Sequence, residues 1–267
     1  NGKVLLRHAT GHVWAHGAEP MSASHVFDVA SVTKVVSTAA AALTLIERGK
    51  MCLDDTLDTF FPSLAGSSLG QVRISHLMTH TAGFGEVPTM FEIGASGEDP
   101  IDILSRVALA WQPGTHVQYS CKGYILLGRV IEAASGMGLA DYARRYVFEP
   151  LGMEDTCYLP VGAAIPQRMR DVGIVPSEAR SATPRGVALR KEWAQRGERL
   201  DVWRERHVGP AGSAAAGDIA CGFVHDENAA WLGGVSGNAG VFSTADDLAK
   251  FGQMWLNRGV AADGRRV

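Results

Sequence analysis

Apolar positions along this chain fall into helical stripes far more often than into strand-like alternation. Ala and Leu fill the stretch from Ser31 to about Arg48, and Gly49 stands where a C′ residue would close a helix. A second helix is predicted from Gly123 to Ala134, with Ile125, Leu126, Val130 and Ile131 at helical spacing and Ser135-Gly136 as its end. Shorter helices are predicted over Val72 to His80, Pro100 to Ala110, Leu139 to Val147 and Thr244 to Asn257. The last has Ser243 three residues before Asp246, a capping-box-like start. Strand signals are fewer. Residues 3 to 15 read as a strand pair turning at Gly11, and Val26 to Ala30 leads into the first helix. With no βαβ repeat, the pattern predicts an α+β fold: an antiparallel sheet from the terminal regions and a helical region inserted between them.

Residues 161 to 219 break this pattern. They are rich in Arg, Pro, Gly and Ala, and only Ala188 to Arg204 has helical character. The segment reads as a loop-rich surface insertion within one domain covering 1–267, because so long a loop is usually functional or mobile. Composition adds little against an ordinary globular protein: 46% apolar, 20% charged and a mean hydropathy of +0.02. A net charge of −3 shows no bias toward nucleic acid or anionic membrane. The longest apolar stretch, Thr38 to Ile46, is alanine-rich and interrupted by threonine, so it predicts a buried helix and not a membrane span. The first residues lack the basic start and apolar core of a signal peptide, and both ends read as those of an excised or incomplete chain. The compartment and oligomeric state stay open. Four widely separated cysteines, without a C-x-x-C pair, read as buried free thiols.

The strongest candidate chemistry is Ser31-Val32-Thr33-Lys34. On a helix, positions i and i+3 share a face, so the hydroxyl and the amine can meet. A serine hydroxyl needs a nearby base to take its proton, and a neutral lysine can serve. The helix N-terminus also favours negative charge developing beside Ser31. Taken alone, the same four residues are better described as an N-cap serine followed by a solvated lysine, because Ser and Lys are common and this spacing arises by chance in many helices.

Other groupings are weaker. His8, His12 and His16 recur every four residues among glycines and β-prone neighbours, where they would not converge on a metal. His76 and His80, four apart on a predicted helix, read as structural hydrogen-bonding groups. Gly234-Val235-Ser236-Gly237-Asn238 fails as a G-x-S-x-G elbow because Asn238 stands where glycine belongs.

Longer blocks decide between the two readings of Ser31. Phe27 to Lys34 closely resembles the nucleophile segment of class C β-lactamases, DD-peptidases of the penicillin-binding protein type and family VIII esterases. Ile74-Ser75-His76-Leu77-Met78-Thr79-His80-Thr81-Ala82-Gly83-Phe84 is similar to the segment that follows in those families. Tyr119-Ser120-Cys121 falls where their Tyr-x-Asn element is expected. Gly123 to Gly128, Glu149 to Met153 and Gly240 to Leu248 continue the likeness in order, and His225-Asp226-Glu227-Asn228-Ala229 resembles a branch described only as serine hydrolases.

The resemblance implies a β-lactamase/transpeptidase-like α+β fold and an acyl-enzyme mechanism with Ser31 as nucleophile. Lys34 and Tyr119 would move the proton, with the order between them open, and Cys121 would line the substrate site. It implies no metal and no organic cofactor. The partner is a small-molecule ester or amide: carboxylic esters first, then β-lactams, then D-alanyl peptides. Two departures stand against the family pattern. Cys121 replaces an amide with a thiol, a poor donor and acceptor. The third motif, Lys-Thr-Gly or His-x-Gly, is not reached by Val267, and the C-terminal strands that carry it are expected to be missing. Asn238-Ala239-Gly240 imitates that motif but precedes a block that lies upstream of it in the family, so Asn238 reads as a loop residue. The expectation is therefore an incomplete pocket with little turnover. The competing reading is a non-catalytic penicillin- or peptidoglycan-recognising module with the same fold.

Overall fold

The computed structural model describes residues 3–13, 19–95, 97–175, 178–179, 219–220 and 222–267. Its centre is a continuous helix, α1 (Ala30–Glu47), which opens as a 3-10 turn, passes through a π-helical stretch at Lys34–Ala39 and finishes as α-helix. Gly49 follows with φ 65, and the N–H groups of Gly49 and Lys50 return to the carbonyls of Ile46 and Leu45. This is the predicted glycine-terminated end. By length and composition α1 could cross a membrane, but Val36, Ala40, Ala41, Ala42 and Leu45 are buried in the core.

Short helices follow in order: α2 (Leu57–Phe60), α3 (Ile74–Met78), α4 (Met90–Ile93) and α5 (Pro100–Ser105). The amphipathic segment becomes α6 (Cys121–Ser135), capped by the Ser120 hydroxyl accepting from Lys122 N–H and ended by Gly136 at φ 69. Ile125, Leu126, Leu127, Val130 and Ile131 of α6 pack with α1 and with α7 (Leu139–Ala143), which continues as a π-helical turn to Phe148. Beyond these lie α8 (Gln167–Val172), α9 (Glu227–Trp231) and α10 (Ala245–Leu256). The cap of α10 is Thr244, whose hydroxyl accepts from Asp247 N–H, one residue later than the predicted Ser243 start. Ser243 instead stays in a strand and shares a hydrogen bond with the Thr156 hydroxyl.

The main sheet is antiparallel and small. Strand β5 (Val241–Ser243) lies between β1 (Phe27–Asp28) and β2 (Cys157–Tyr158), with Asp28 opposite Phe242 and Tyr158 opposite Val241. A second pair joins β3 (Glu178–Ala179) to β4 (Ile219–Ala220). Alternation puts Val241 into the helical core, while Phe242 packs with Val26, Leu159 and Met169 on the other face. Burying Phe242 fully contributes about 2–3 kcal/mol to joining those elements.

Two expectations about strands and thiols change. Residues 11–13 pair back on residues 19–21, through Val13 N–H to the Glu19 carbonyl and Met21 N–H to the Gly11 carbonyl. Gly11 therefore lies within the paired stretch and is not its turn. Leu5 and Leu6, for which a strand is predicted, are exposed and unpaired among the described residues; without a partner ladder, apolar β-prone residues do not make a strand. Cys52 is exposed instead of buried, and Cys121 and Cys157 are half-buried. Cys221 and the helical stretch predicted over Ala188 to Arg204 lie outside the described residues.

Candidate active site

Ser31 is placed by strand pairing. Because β1 is held by β5, and Val29 N–H donates to the Val241 carbonyl, the chain enters α1 at a fixed point. Ala30 turns it there with φ 45, a conformation that costs a non-glycine residue and persists only where neighbours hold it. The Asp28 carboxylate does so, accepting from Ala30 N–H at 2.8 Å. Burial raises the Asp28 pKa above the ordinary carboxylate value.

One turn on, Lys34 is 3% exposed. Its Nζ lies 3.0 Å from Ser31 Oγ, 2.9 Å from the Asn238 carbonyl oxygen and 3.6 Å from Cys121 Sγ. These three partners are the whole of its hydrogen bonding among the described residues. A neutral amine has two N–H bonds and one lone pair. In the structure Lys34 Nζ donates to all three; a proton lost from Nζ while Asn238 and Cys121 keep the other two would leave the lone pair facing the Ser31 hydroxyl, as proton abstraction requires.

The polar residues that interrupt the apolar pattern of α1 fasten it to the Gly-rich loop 233–240 and to β5. Thr38 donates to the Gly237 carbonyl at 2.8 Å, and Thr33 accepts from Val241 N–H at 3.1 Å. The Ser37 and Tyr158 hydroxyls share a 2.9 Å hydrogen bond, and Tyr158 donates to the Ser236 carbonyl at 3.2 Å. The threonines that look like defects in a hydrophobic helix are thus its attachments.

Tyr119 reaches Lys34 with its ring. Lys34 Nζ stands 4.9 Å from the ring centroid, a cation–π distance, and among the described residues the phenol makes no hydrogen bond to Ser31 or Lys34. The ring is half-exposed and packs on His80 at a centroid distance of 4.6 Å. His80 lies beyond the end of α3, at φ 58, so it does not share a helix face with His76. Both still act structurally. His80 Nδ1 accepts from Ser120 N–H at 3.1 Å, and His76 Nδ1 accepts from Arg73 N–H at 3.2 Å. Burial, and for His80 the adjacent Lys34 charge, lowers both pKa values, so each ring favours its neutral form.

Ser31, Lys34, Tyr119 and Cys121 therefore meet at one place. Asn238, fully buried, joins them through its backbone carbonyl, which sequence reasoning misses. A backbone acceptor leaves no residue-type signature; the usable signal is a polar side chain in a glycine-rich turn directly before a recognisable block. No group of three His, Cys, Asp or Glu side chains suited to a metal occurs among the described residues.

Known proteins share the fold of this chain. A solved class C beta lactamase from Rhodobacter sphaeroides superposes with a TM-score of 0.64 at 21% identity, covering 95% of this chain and 57% of its own. The D-alanine carboxypeptidase AmpC from Burkholderia cenocepacia gives a TM-score of 0.60 at 23% identity, covering 91% and 53%. In sequence, a protein of Escherichia coli K12 named "Putative D-alanyl-D-alanine carboxypeptidase" is 29% identical over 257 residues, 89% of this chain and 52% of that protein. The chain thus spans about half the length of the curated relatives it matches. A family model described as Beta-lactamase matches residues 1–267, and the chain belongs to that family.

Proposed function

We propose that the protein is a serine hydrolase working by acyl transfer, with carboxylic esters as its preferred substrates and β-lactams and D-alanyl amides behind them. The observation that carries this reading is the Lys34 Nζ to Ser31 Oγ contact of 3.0 Å within the donor set described above. Ser31 Oγ forms a bond to the substrate carbonyl carbon as its proton passes to Lys34. The Ser31 N–H, at the start of α1, faces the oxyanion. Collapse breaks the bond to the leaving group, which takes the proton back from Lys34, with the Tyr119 phenol, whose ring packs on Lys34, as a further carrier. Water then attacks the acyl-enzyme by the same route and regenerates Ser31.

The preference for esters comes from Cys121. A thiol 3.6 Å from Lys34 offers a substrate amide carbonyl a weaker donor than an asparagine would. Activated esters depend less on that contact.

The test is hydrolysis of p-nitrophenyl butyrate together with covalent labelling by a fluorophosphonate, read by intact mass. In the full-length protein both labelling and turnover are expected of the wild type, and Ser31→Ala is expected to lose both, with a fall of at least about 10³-fold in rate. Labelling without turnover would assign the recognising module instead. A wild type that is neither labelled nor active, or a Ser31→Ala variant as active as wild type, would overturn the reading.

A further inference from the structure

Ser31 and Lys34 are connected by a second route that leaves their own helix. Asp28 accepts from Ala30 N–H through Oδ1, and through Oδ2 from His225 N–H at 2.6 Å. The next residue, Asp226, caps α9 by accepting from Ala229 N–H at 2.9 Å. With the same oxygen it accepts from Asn238 Nδ2, also at 2.9 Å. The Asn238 amide oxygen takes the Ser236 hydroxyl at 2.7 Å, so both ends of that buried amide are held. Its backbone carbonyl then receives Lys34, and Lys34 closes the circuit on Ser31.

The direction in which Lys34 Nζ faces Ser31 depends on where the Asn238 carbonyl points. That carbonyl can turn only if its loop turns, and the grip on the Asn238 side chain prevents this. The anchor of that grip is itself fixed. Asp226 sits at the start of α9, which packs on α4, and the Asn228 side chain accepts from Met90 N–H there at 2.8 Å. We infer that Asp226 is a positioning residue for Lys34, acting through the Asn238 side chain, while Asp28 ties the same segment to the turn that carries Ser31. The kinetic consequence rests on the acyl-transfer reading; the geometric one does not.

Three variants separate this role from simple helix capping. Asp226→Ser keeps a capping hydroxyl for α9 but is too short to hold Asn238. Asp226→Asn keeps an oxygen able to do both, and Asn238→Ala cuts the link while leaving the cap intact. With p-nitrophenyl butyrate, Asp226→Ser and Asn238→Ala are expected to lower kcat about 10- to 100-fold with little change in KM. Their double variant should be no worse than either alone, and Asp226→Asn should stay close to wild type. The second readout needs no turnover. In protein labelled with 15N-lysine, solvent exchange of the Lys34 side-chain protons should be slow in wild type and Asp226→Asn, and fast in Asp226→Ser and Asn238→Ala. If Asp226→Ser does not fold, Asn238→Ala decides the question. Wild-type exchange at Lys34 in Asn238→Ala, or an Asp226→Asn variant as impaired as Asp226→Ser, would overturn the inference. Lack of Ser31-dependent turnover would count only against the acyl-transfer reading, because the exchange measurement still reads the brace.

Discussion

At the scale of single residues, the site is a set of acceptors arranged around one amine. Replacing Cys121 by asparagine changes one of them and leaves the Ser31 and Asn238 contacts in place. Cys121→Asn is expected to raise the acylation rate with a chromogenic cephalosporin relative to p-nitrophenyl butyrate by about 10-fold, the worth of one added hydrogen bond. Parallel stopped-flow measurements on the two substrates check it; an unchanged ratio would remove Cys121 from specificity. The other thiols differ for reasons of burial. Desolvation pushes Cys157 up to about 11, and its sulfur packs against Met169, whereas Cys52 is exposed. Since the thiolate is the reactive form, iodoacetamide at pH 8 should alkylate Cys52 readily and leave Cys157 unmodified in a peptide map of native protein.

Among elements, the decisive approach is between α6 and the glycine-rich loop. A Cβ on Gly237 would lie 1.9 Å from the Tyr124 carbonyl oxygen and 3.0 Å from Gly128 N, both backbone atoms that cannot swing aside. Gly237→Ala must therefore push the loop off α6, carrying with it the Gly237 carbonyl that holds Thr38 and the Asn238 carbonyl that holds Lys34. A loss of about 3 kcal/mol is expected in urea unfolding, at the upper end for overpacking, with activity falling further than stability. Gly136→Ala offers the contrast. Its neighbourhood is open, so the strain of φ 69 is the only penalty, about 1 kcal/mol.

For the molecule as a whole, stability is linked to pH through the two histidines that fix backbone amides. His76 and His80 both have folded pKa values below the ordinary 6.5. The unfolded chain therefore binds protons more readily, and the stability they supply is complete above pH 6.5 and lost as pH falls through their lowered values. Asp28 runs the opposite way: raised above 3.8, it favours folding most where it is protonated and least as pH rises through its folded value. In a His76→Asn/His80→Asn variant the amide oxygens can replace Nδ1 as acceptors without titrating. Its Tm should fall less between pH 7 and 5 than that of wild type. Equal slopes in differential scanning calorimetry would show that these rings do not govern the acid limb.

What could be read from residue order was local or carried by recognisable blocks. The helix ending at Gly49, the amphipathic face of α6, and the meeting of Ser31 with Lys34 across one turn all follow from periodicity and spacing, because neighbours in a helix are neighbours in sequence. The α+β class and the family were legible from ordered motifs. Tertiary structure decided the rest. Tyr119 meets Lys34 through its ring and not its hydroxyl, because His80 and the extended segment before α6 set its angle. Asn238 enters the site by its carbonyl, and the Asp28–Asp226 connection joins residues almost two hundred positions apart. Backbone acceptors and long-range carboxylate clamps depend on where the chain returns to itself. That return is fixed by the pairing of β1 with β5 and by the close seat of Gly237 on α6, contacts with no period in the sequence.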